Sequence, residues 1–262
     1  MKKAGFCLLT TQRSGSTWLA ELLDSHENVT MFGELFFWQS KEVEMKNRAR
    51  RLNSGHNKKI SIGKSMLTYK SFKGNRRRPW SIFQYIDQLK LSPELGDMVG
   101  FKLMYNQLLP RPEILLKLAL DEYKIIHLVR QNYLDILISK ASMTQNSVVH
   151  AKAEVAQKSV VLDTSSLVKD LSIREAATRA VRSTLRVLPN PVLEISYEKL
   201  QSSKDDLLVS VIEFLGLQSA DVEFESDLRK ISKGLYCEKI ANYDQVCCVL
   251  EGTRFHALLK DC

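Results

Sequence analysis

The residues best equipped for chemistry sit in one short run, Gln12-Arg13-Ser14-Gly15-Ser16-Thr17-Trp18, which sets a permanent cation and three hydroxyls around a glycine. An apolar run, Phe6-Cys7-Leu8-Leu9-Thr10-Thr11, leads in, and the helical pattern Trp18, Leu19, Leu22, Leu23 leads out. This order predicts a strand, a tight loop and a helix. Gly15 lets the backbone approach a ligand closely, and a helix starting behind it aims unpaired N–H groups and the positive end of its dipole into the loop. Such a loop is an anion cradle. The plain alternative is a strand, turn and helix with a capping serine.

A second candidate lies at the end of the apolar run Lys124–Val129, where Arg130-Gln131-Asn132 leads into a helical pattern carrying Ser139. An arginine there offers a fork of charge-assisted bonds to a phosphate, and the serine adds a neutral one. A nucleoside triphosphatase loop would need G-x-x-x-x-G-K-[ST], with the lysine on the terminal phosphates and a hydroxyl on Mg²⁺. Here Gly15 stands alone, no lysine follows it, and Arg13 precedes it. A kinase dependent on ATP and Mg²⁺ therefore lacks its key pair.

The elements that would position these residues alternate in type. Strands are predicted at Val99–Met104, Lys124–Val129 and Pro191–Ser196, and helices at Glu113–Leu120, Tyr133–Met143, Ile173–Leu188 and Asp205–Leu215, the last closed by Gly216. Continuous apolar strands between amphipathic helices predict an α/β fold with a mainly parallel sheet covered on both faces. Ligands bind such sheets beyond the carboxyl ends of the strands. Residues 146–170 show little periodicity beyond a helix at Val148–Gln157 and are expected to form a lid or an acceptor-binding segment.

The 262 residues, 44% of them hydrophobic, suit a single domain with a sizeable core. No run approaches the length of a membrane span, and the first apolar run is too short and too soon polar for a signal peptide, so a cytoplasmic location is expected. Five cysteines without metal-site spacing read as reduced thiols. The net charge of +8 is concentrated between Lys41 and Trp80, where thirteen Lys/Arg face two glutamates, leaving the rest of the chain slightly acidic. This basic insertion reads as solvated surface, as a wall that draws in a polyanionic nucleotide, or as a nucleic-acid patch. The last gives no account of Arg13–Thr17 or Arg130.

The loop after the first strand resembles the 5′-phosphosulfate loop of sulfotransferases that use 3′-phosphoadenosine 5′-phosphosulfate (PAPS), and Arg130 with Ser139 resembles their 3′-phosphate motif. In many members the Arg-to-Ser separation is eight residues, whereas here it is nine. Val99-Gly100-Phe101-Lys102-Leu103-Met104-Tyr105-Asn106-Gln107 is similar to the G-x-K-[IL]-M-x-N-Q strand of the bacterial Stf0-like branch, whose named member sulfates trehalose. Ser196-Tyr197-Glu198-Lys199-Leu200 resembles the Y-E-x-L segment, followed by Glu213-Phe214-Leu215-Gly216-Leu217. Ser232, Lys239 and Asn242-Tyr243 resemble the segment that closes over the nucleotide.

The resemblance implies a P-loop-like three-layer sandwich, PAPS as co-substrate with no metal, and a small-molecule or carbohydrate acceptor, with no nucleic-acid partner and room for a homodimer. It also implies roles. Arg13, Ser14, Gly15, Ser16 and Thr17 would hold the phosphosulfate, Trp18 would stack on adenine, and Arg130, Ser139, Tyr197, Ser232 and Lys239 would complete the nucleotide site. Glu34, in Gly33-Glu34 after the second strand, would be the general base, and Lys102 would stabilise the sulfonate. Apolar neighbours would raise the Glu34 pKa, while Arg13 or Lys102 nearby would lower it. His127, inside an apolar strand, reads as structural.

Overall fold

A computed structural model describes residues 3–36, 78–91, 95–146, 159–218 and 235–259. Five strands form a single sheet: β1 (Ala4–Thr10), β2 (Val29–Glu34), β3 (Met98–Met104), β4 (Lys124–Val129) and β5 (Val192–Ser196). Their order is β2-β3-β1-β4-β5 and every pairing is parallel. The three central strands are almost wholly buried, as expected of a sheet covered on both faces. From β1 the chain runs out to the β2 edge, returns by β3, and crosses β1 to reach β4. The loops after β1 and β4 thus diverge from neighbouring strands, which is where ligands enter open parallel sheets.

Alternation along the strands assigns the two faces. Phe6 and Leu8 of β1 face α1 (Ser16–Asp24), and this layer is completed by Leu207, Leu208, Val211 and Ile212 of a later helix, Lys204–Leu215. Cys7 and Leu9 face the other layer, built from α2 (Trp80–Gln88), a one-turn helix α3 (Tyr105–Leu108), α4 (Glu113–Leu120) and the end of a long helix, Leu167–Val187. The helix after β4, α5 (Tyr133–Asn146), and this long helix, α6 (Leu167–Val187), carry a third cluster. There Leu134, Ile138 and Leu171 pack against Tyr236, Ile240, Val246 and Leu250 of the C-terminal elements. Those elements are α9 (Tyr236–Lys239) and α10 (Tyr243–Leu250), which follow α7 (Tyr197–Ser202) and α8 (Lys204–Leu215).

Val160 joins this third cluster and pairs with the C-terminal segment: its N–H donates to Lys239 O at 2.8 Å, and its carbonyl accepts from Ala241 N at 2.8 Å. Residues 147–158, with the helix expected at Val148–Gln157, lie outside the described residues, as do 37–77 of the basic segment. Helix α6 begins six residues before its expected start, because Leu167 and Leu171 are buried by the C-terminal elements. The expectation of five reduced thiols fails at Cys237, which is disulfide-bonded, while Cys7, Cys247 and Cys248 are free. Which cysteines meet depends on how the chain folds back, and spacing alone carries no trace of it. Among the described residues no helix is long and apolar enough to cross a membrane.

His127 is fully buried in β4 and bonded at both ring nitrogens. Nδ1 lies 3.0 Å from Glu194 Oε2 on β5, and Nε2 meets the Tyr105 hydroxyl. Arg182 of α6 in turn holds Glu194 in a fork, at 2.9 and 2.8 Å. Burial pulls the imidazole below its ordinary value of 6.5, against the upward pull of Glu194. A neutral ring then donates from Nδ1 to the carboxylate and accepts from the tyrosine. In the unfolded chain the ring takes up a proton at about pH 6.5, earlier than in the folded one, so stability falls as pH drops below that value. Melting followed from about pH 7.5 to about pH 5 should show this loss, and His127→Gln should flatten it; an equally steep profile in the variant would exclude the ring as its source.

Candidate active site

The carboxyl ends of all five strands converge on the loop after β1. Thr10 Oγ1 donates to Leu128 O of β4 at 2.7 Å and meets the hydroxyl of Ser14, which donates to Thr11 O at 2.8 Å. Ser14 is fully buried, so its side chain braces the loop. Two residues take the left-handed conformation, Arg13 at φ 63° and Gly15 at φ 80°. Gly15 is the N-cap of α1 and its carbonyl accepts the first helical bond, from Leu19 N at 3.1 Å. A Cβ on Gly15 would lie 2.3 Å from the ring of Tyr197, the first residue of α7, so that ring packs flush against the loop backbone.

Two guanidiniums meet above this loop. Arg130 Nη1 donates to Arg13 O at 3.1 Å, its Nη2 pairs with Asp135 Oδ2 at 3.1 Å, and its plane lies 4.5 Å from the Tyr197 ring centroid. Arg13 Nε donates to Ser139 Oγ at 2.9 Å. Burial and the neighbouring Arg130 charge lower the pKa of Arg13, and an anion bound between the two would remove that penalty. Glu198, next to Tyr197, accepts the N–H groups of Gln131 at 3.0 Å and Asn132 at 3.2 Å, which fixes the turn behind Arg130. Tyr236 donates to Asp135 Oδ1 at 2.9 Å, and Lys239 Nζ lies 5.7 Å from the centre of the Tyr236 ring.

A second group forms on the β2–β3 side. A register shift between Phe32 and Glu34 brings Glu34 opposite Lys102. Lys102 Nζ lies 3.4 Å from Glu34 Oε1 and donates to Thr17 Oγ1 at 3.3 Å, which links the carboxylate to the start of α1. Gln107 Nε2 donates to Glu34 Oε2 at 3.1 Å, while its Oε1 accepts from Met104 N at 3.1 Å. The backbone bond dictates which end of the amide faces the carboxylate. The Glu34 side chain is 26% exposed against 9% for Lys102, so the carboxylate looks out of the fold while the lysine is buried behind it. Its unused lone pairs are open to an incoming hydroxyl or amine.

Residues 6–221 match the sequence profile of the sulfotransferase family. The chain belongs to this family. Solved structures similar to this sulfotransferase include the sulfotransferase domain from the curacin biosynthetic pathway, at 20% identity over 99% of this chain and 84% of that one, TM-score 0.46. A sulfotransferase from Alicyclobacillus acidocaldarius matches at 14% identity over 87% of this chain and 88% of that one, TM-score 0.48. Mouse sulfotransferase SULT7A1, solved in complex with PAP, matches at 13% identity over 84% of this chain and 62% of that one, TM-score 0.42. No curated protein sequence matches the chain.

The sulfotransferase fold thus brings Arg13, Ser14, Gly15, Ser16, Thr17, Arg130, Ser139 and Tyr197 together around one loop, with Glu34 and Lys102 beside it through Thr17. Ser139 accepts from Arg13. Trp18 packs half-buried against the α1 layer of the core. Lys239 reaches the cluster through Tyr236 and Asp135, and Ser232 lies outside the described residues. Sequence reasoning assigned no role to Gln107, Asp135, Glu198 or Tyr236, although Gln107 and Glu198 stand within motifs it recognised. Among the described residues no group of three or more His, Cys, Asp or Glu could hold a metal ion.

Gly15→Ala should cost about 1–3 kcal/mol, read as a melting point lower by several degrees, because the φ is strained and the ring is in the way. Removing the ring in Gly15→Ala/Tyr197→Ala should recover part of that loss, so the two costs should not add. Fully additive costs would contradict the contact.

Proposed function

We propose that this sulfotransferase moves a sulfuryl group from PAPS to a hydroxyl or amine of a carbohydrate, a lipid-linked glycan or a small natural product, and that it is nearest to the Stf0-like branch. The observation that carries this reading is the pair of guanidiniums, Arg13 and Arg130, joined through a backbone carbonyl at the start of α1. A nucleotide with two separate anionic groups is the ligand that such a pair and a helix N-terminus favour together. The loop N–H groups from Ser14 to Thr17 and Arg13 would take the phosphosulfate. The Arg130 N–H groups left over from Arg13 O and Asp135 would take the 3′-phosphate, with Tyr197, Lys239 and Ser232 completing the nucleotide site and Trp18 against the adenine.

The reaction is an in-line displacement at sulfur. An acceptor oxygen or nitrogen forms a bond to sulfur as the bond from sulfur to the phosphate oxygen breaks, and 3′-phosphoadenosine 5′-phosphate (PAP) leaves with the bonding pair. Charge grows on that phosphate oxygen, and fixed donors around it stabilise the transition state without reorganising. Lys102, between Thr17 and Glu34, would hold a sulfonate oxygen. Glu34 would accept the acceptor's proton, its carboxylate kept in place by Lys102 and Gln107.

Glu34→Gln keeps the shape and its amide can still accept one bond, but it loses the proton acceptor. Turnover should fall by roughly 10²–10⁴-fold with PAP affinity changed less than about twofold. Turnover near wild type would reassign the base. Arg130→Ala should weaken PAP binding by roughly 30- to 150-fold, about 2–3 kcal/mol, and abolish the preference for PAP over its 3′-dephosphorylated form. A preference that survives would move the 3′-phosphate elsewhere.

A further inference from the structure

Helix α3 is a single turn, Tyr105–Leu108, seated directly on the end of β3, and two of its side chains reach toward opposite edges of the sheet. Toward β2, the buried Gln107 donates from Nε2 to Glu34 at 3.1 Å while its Oε1 accepts from Met104 N at 3.1 Å. Toward β4, the Tyr105 hydroxyl meets His127 Nε2, with the two ring centroids 5.8 Å apart, and Thr178 of α6 bonds the same oxygen. Since β1 lies between β3 and β4, the tyrosine reaches across the strand that leads to Arg13. Burial pushes its hydroxyl well above the ordinary value of 10, so it keeps its proton and donates to the imidazole.

The imidazole is itself held from behind. His127 Nδ1 lies 3.0 Å from Glu194 Oε2, and Arg182 grips Glu194 at 2.9 and 2.8 Å, so one line of side chains runs from α6 and β5 through β4 to α3. A single helical turn closes too few backbone bonds to fix its own direction. Past it the chain gives little hold, with Leu108 half-buried and Leu109 in solvent. Side-chain anchors therefore decide how α3 sits, and Tyr105 and Gln107 stand two residues apart on it.

We propose that Tyr105 is a positioning residue for the base: its bond to His127 fixes how α3 sits on β3, and through α3 the point at which the Gln107 amide meets Glu34. The inference rests on the reading of Glu34 as general base. With Gln107 in place the carboxylate is restrained at both oxygens, Oε1 by Lys102 at 3.4 Å and Oε2 by the amide at 3.1 Å, and its remaining lone pairs keep one direction. With the amide displaced, only Lys102 holds the group, which can then turn about its stem. Proton transfer needs the base within hydrogen-bond reach of the attacking group, so a turned carboxylate is a slower base.

The test reads the Gln107 amide directly. In protein labelled with ¹⁵N at glutamine side chains, its N–H signals are assigned by their loss in Gln107→Ala, and Glu34→Ala gives their position when the carboxylate is gone. Tyr105→Phe keeps the ring, should melt within about 5 °C of wild type, and is expected to move the signals at least half-way to the Glu34→Ala position. Signals that stay where they are in wild type would overturn the inference. Should Tyr105→Phe fail to fold, Glu194→Gln at the far end of the line carries the same test, with a smaller shift in the same direction expected and no shift overturning it. Sulfuryl transfer from ³⁵S-labelled PAPS to water makes the same demand on the base. Tyr105→Phe should slow it about tenfold with PAP affinity within about twofold, and should slow Gln107→Ala no further. A rate that holds in Tyr105→Phe while Glu34→Gln lowers it, or losses that multiply in the double variant, would overturn the inference as well. An undiminished rate in Glu34→Gln would instead refute the reading of Glu34 as base, and the amide signals separate that failure from this one.

Discussion

Everything at this site depends on keeping two like charges together. Arg13 and Arg130 follow different strands, β1 and β4, and holding their two positive charges close together is unfavourable unless the surroundings enforce it. Tyr197 does so from one side, lying against both Gly15 and Arg130. Asp135 offsets part of the Arg130 charge and is itself held by Tyr236 from the C-terminal cluster. The fold thus stores positive charge in advance, and a polyanionic ligand would release the tension. Such preorganisation lets a site stabilise charge at the moment it develops, with no reorganisation then needed.

The strand order makes that enforcement affordable in geometry. With β1 flanked by β3 and β4, the loop after β1 has the strand of Lys102 on one side and the strand that leads to Arg130 on the other. Arg13 in the loop and Thr17, four residues later in the first turn of α1, therefore touch different partners: Thr17 meets Lys102, and Arg13 meets Arg130 and Ser139. The C-terminal elements pack on α5 and α6, away from the sheet, and their link to the chemistry runs through Tyr236 and Asn132, whose Nδ2 donates to Leu258 O at 2.8 Å. The third cluster thus contacts the residue that pairs with Arg130.

Much of this was legible in the chain before it was folded. The runs of β3, β4 and β5 and the periodicity of α4 and α8 stand within a residue of where they were expected; β3, β4, α4 and α8 each bury a face of apolar residues, whereas β5 is an edge strand that buries Ile195 alone. That Arg13, Glu34 and Arg130 stand at or just beyond strand ends was legible because each follows an apolar run in the sequence. What could not be read depends on contacts across the sheet: the bond from Arg13 to Ser139, and the chain from Tyr105 through His127 and Glu194 to Arg182. Gln107 was half legible, since its motif was plain but its bond to Glu34 requires the register shift in β2.

The account stands most directly on which nucleotide the Arg13–Arg130 pair accepts. Calorimetric titration of the protein with PAP, with ATP as control and each with and without Mg²⁺, measures this without an acceptor. The account predicts a single site that binds PAP at least about tenfold more tightly than ATP and does not depend on the metal. Equal or tighter binding of ATP, or binding that appears only with Mg²⁺, would contradict it.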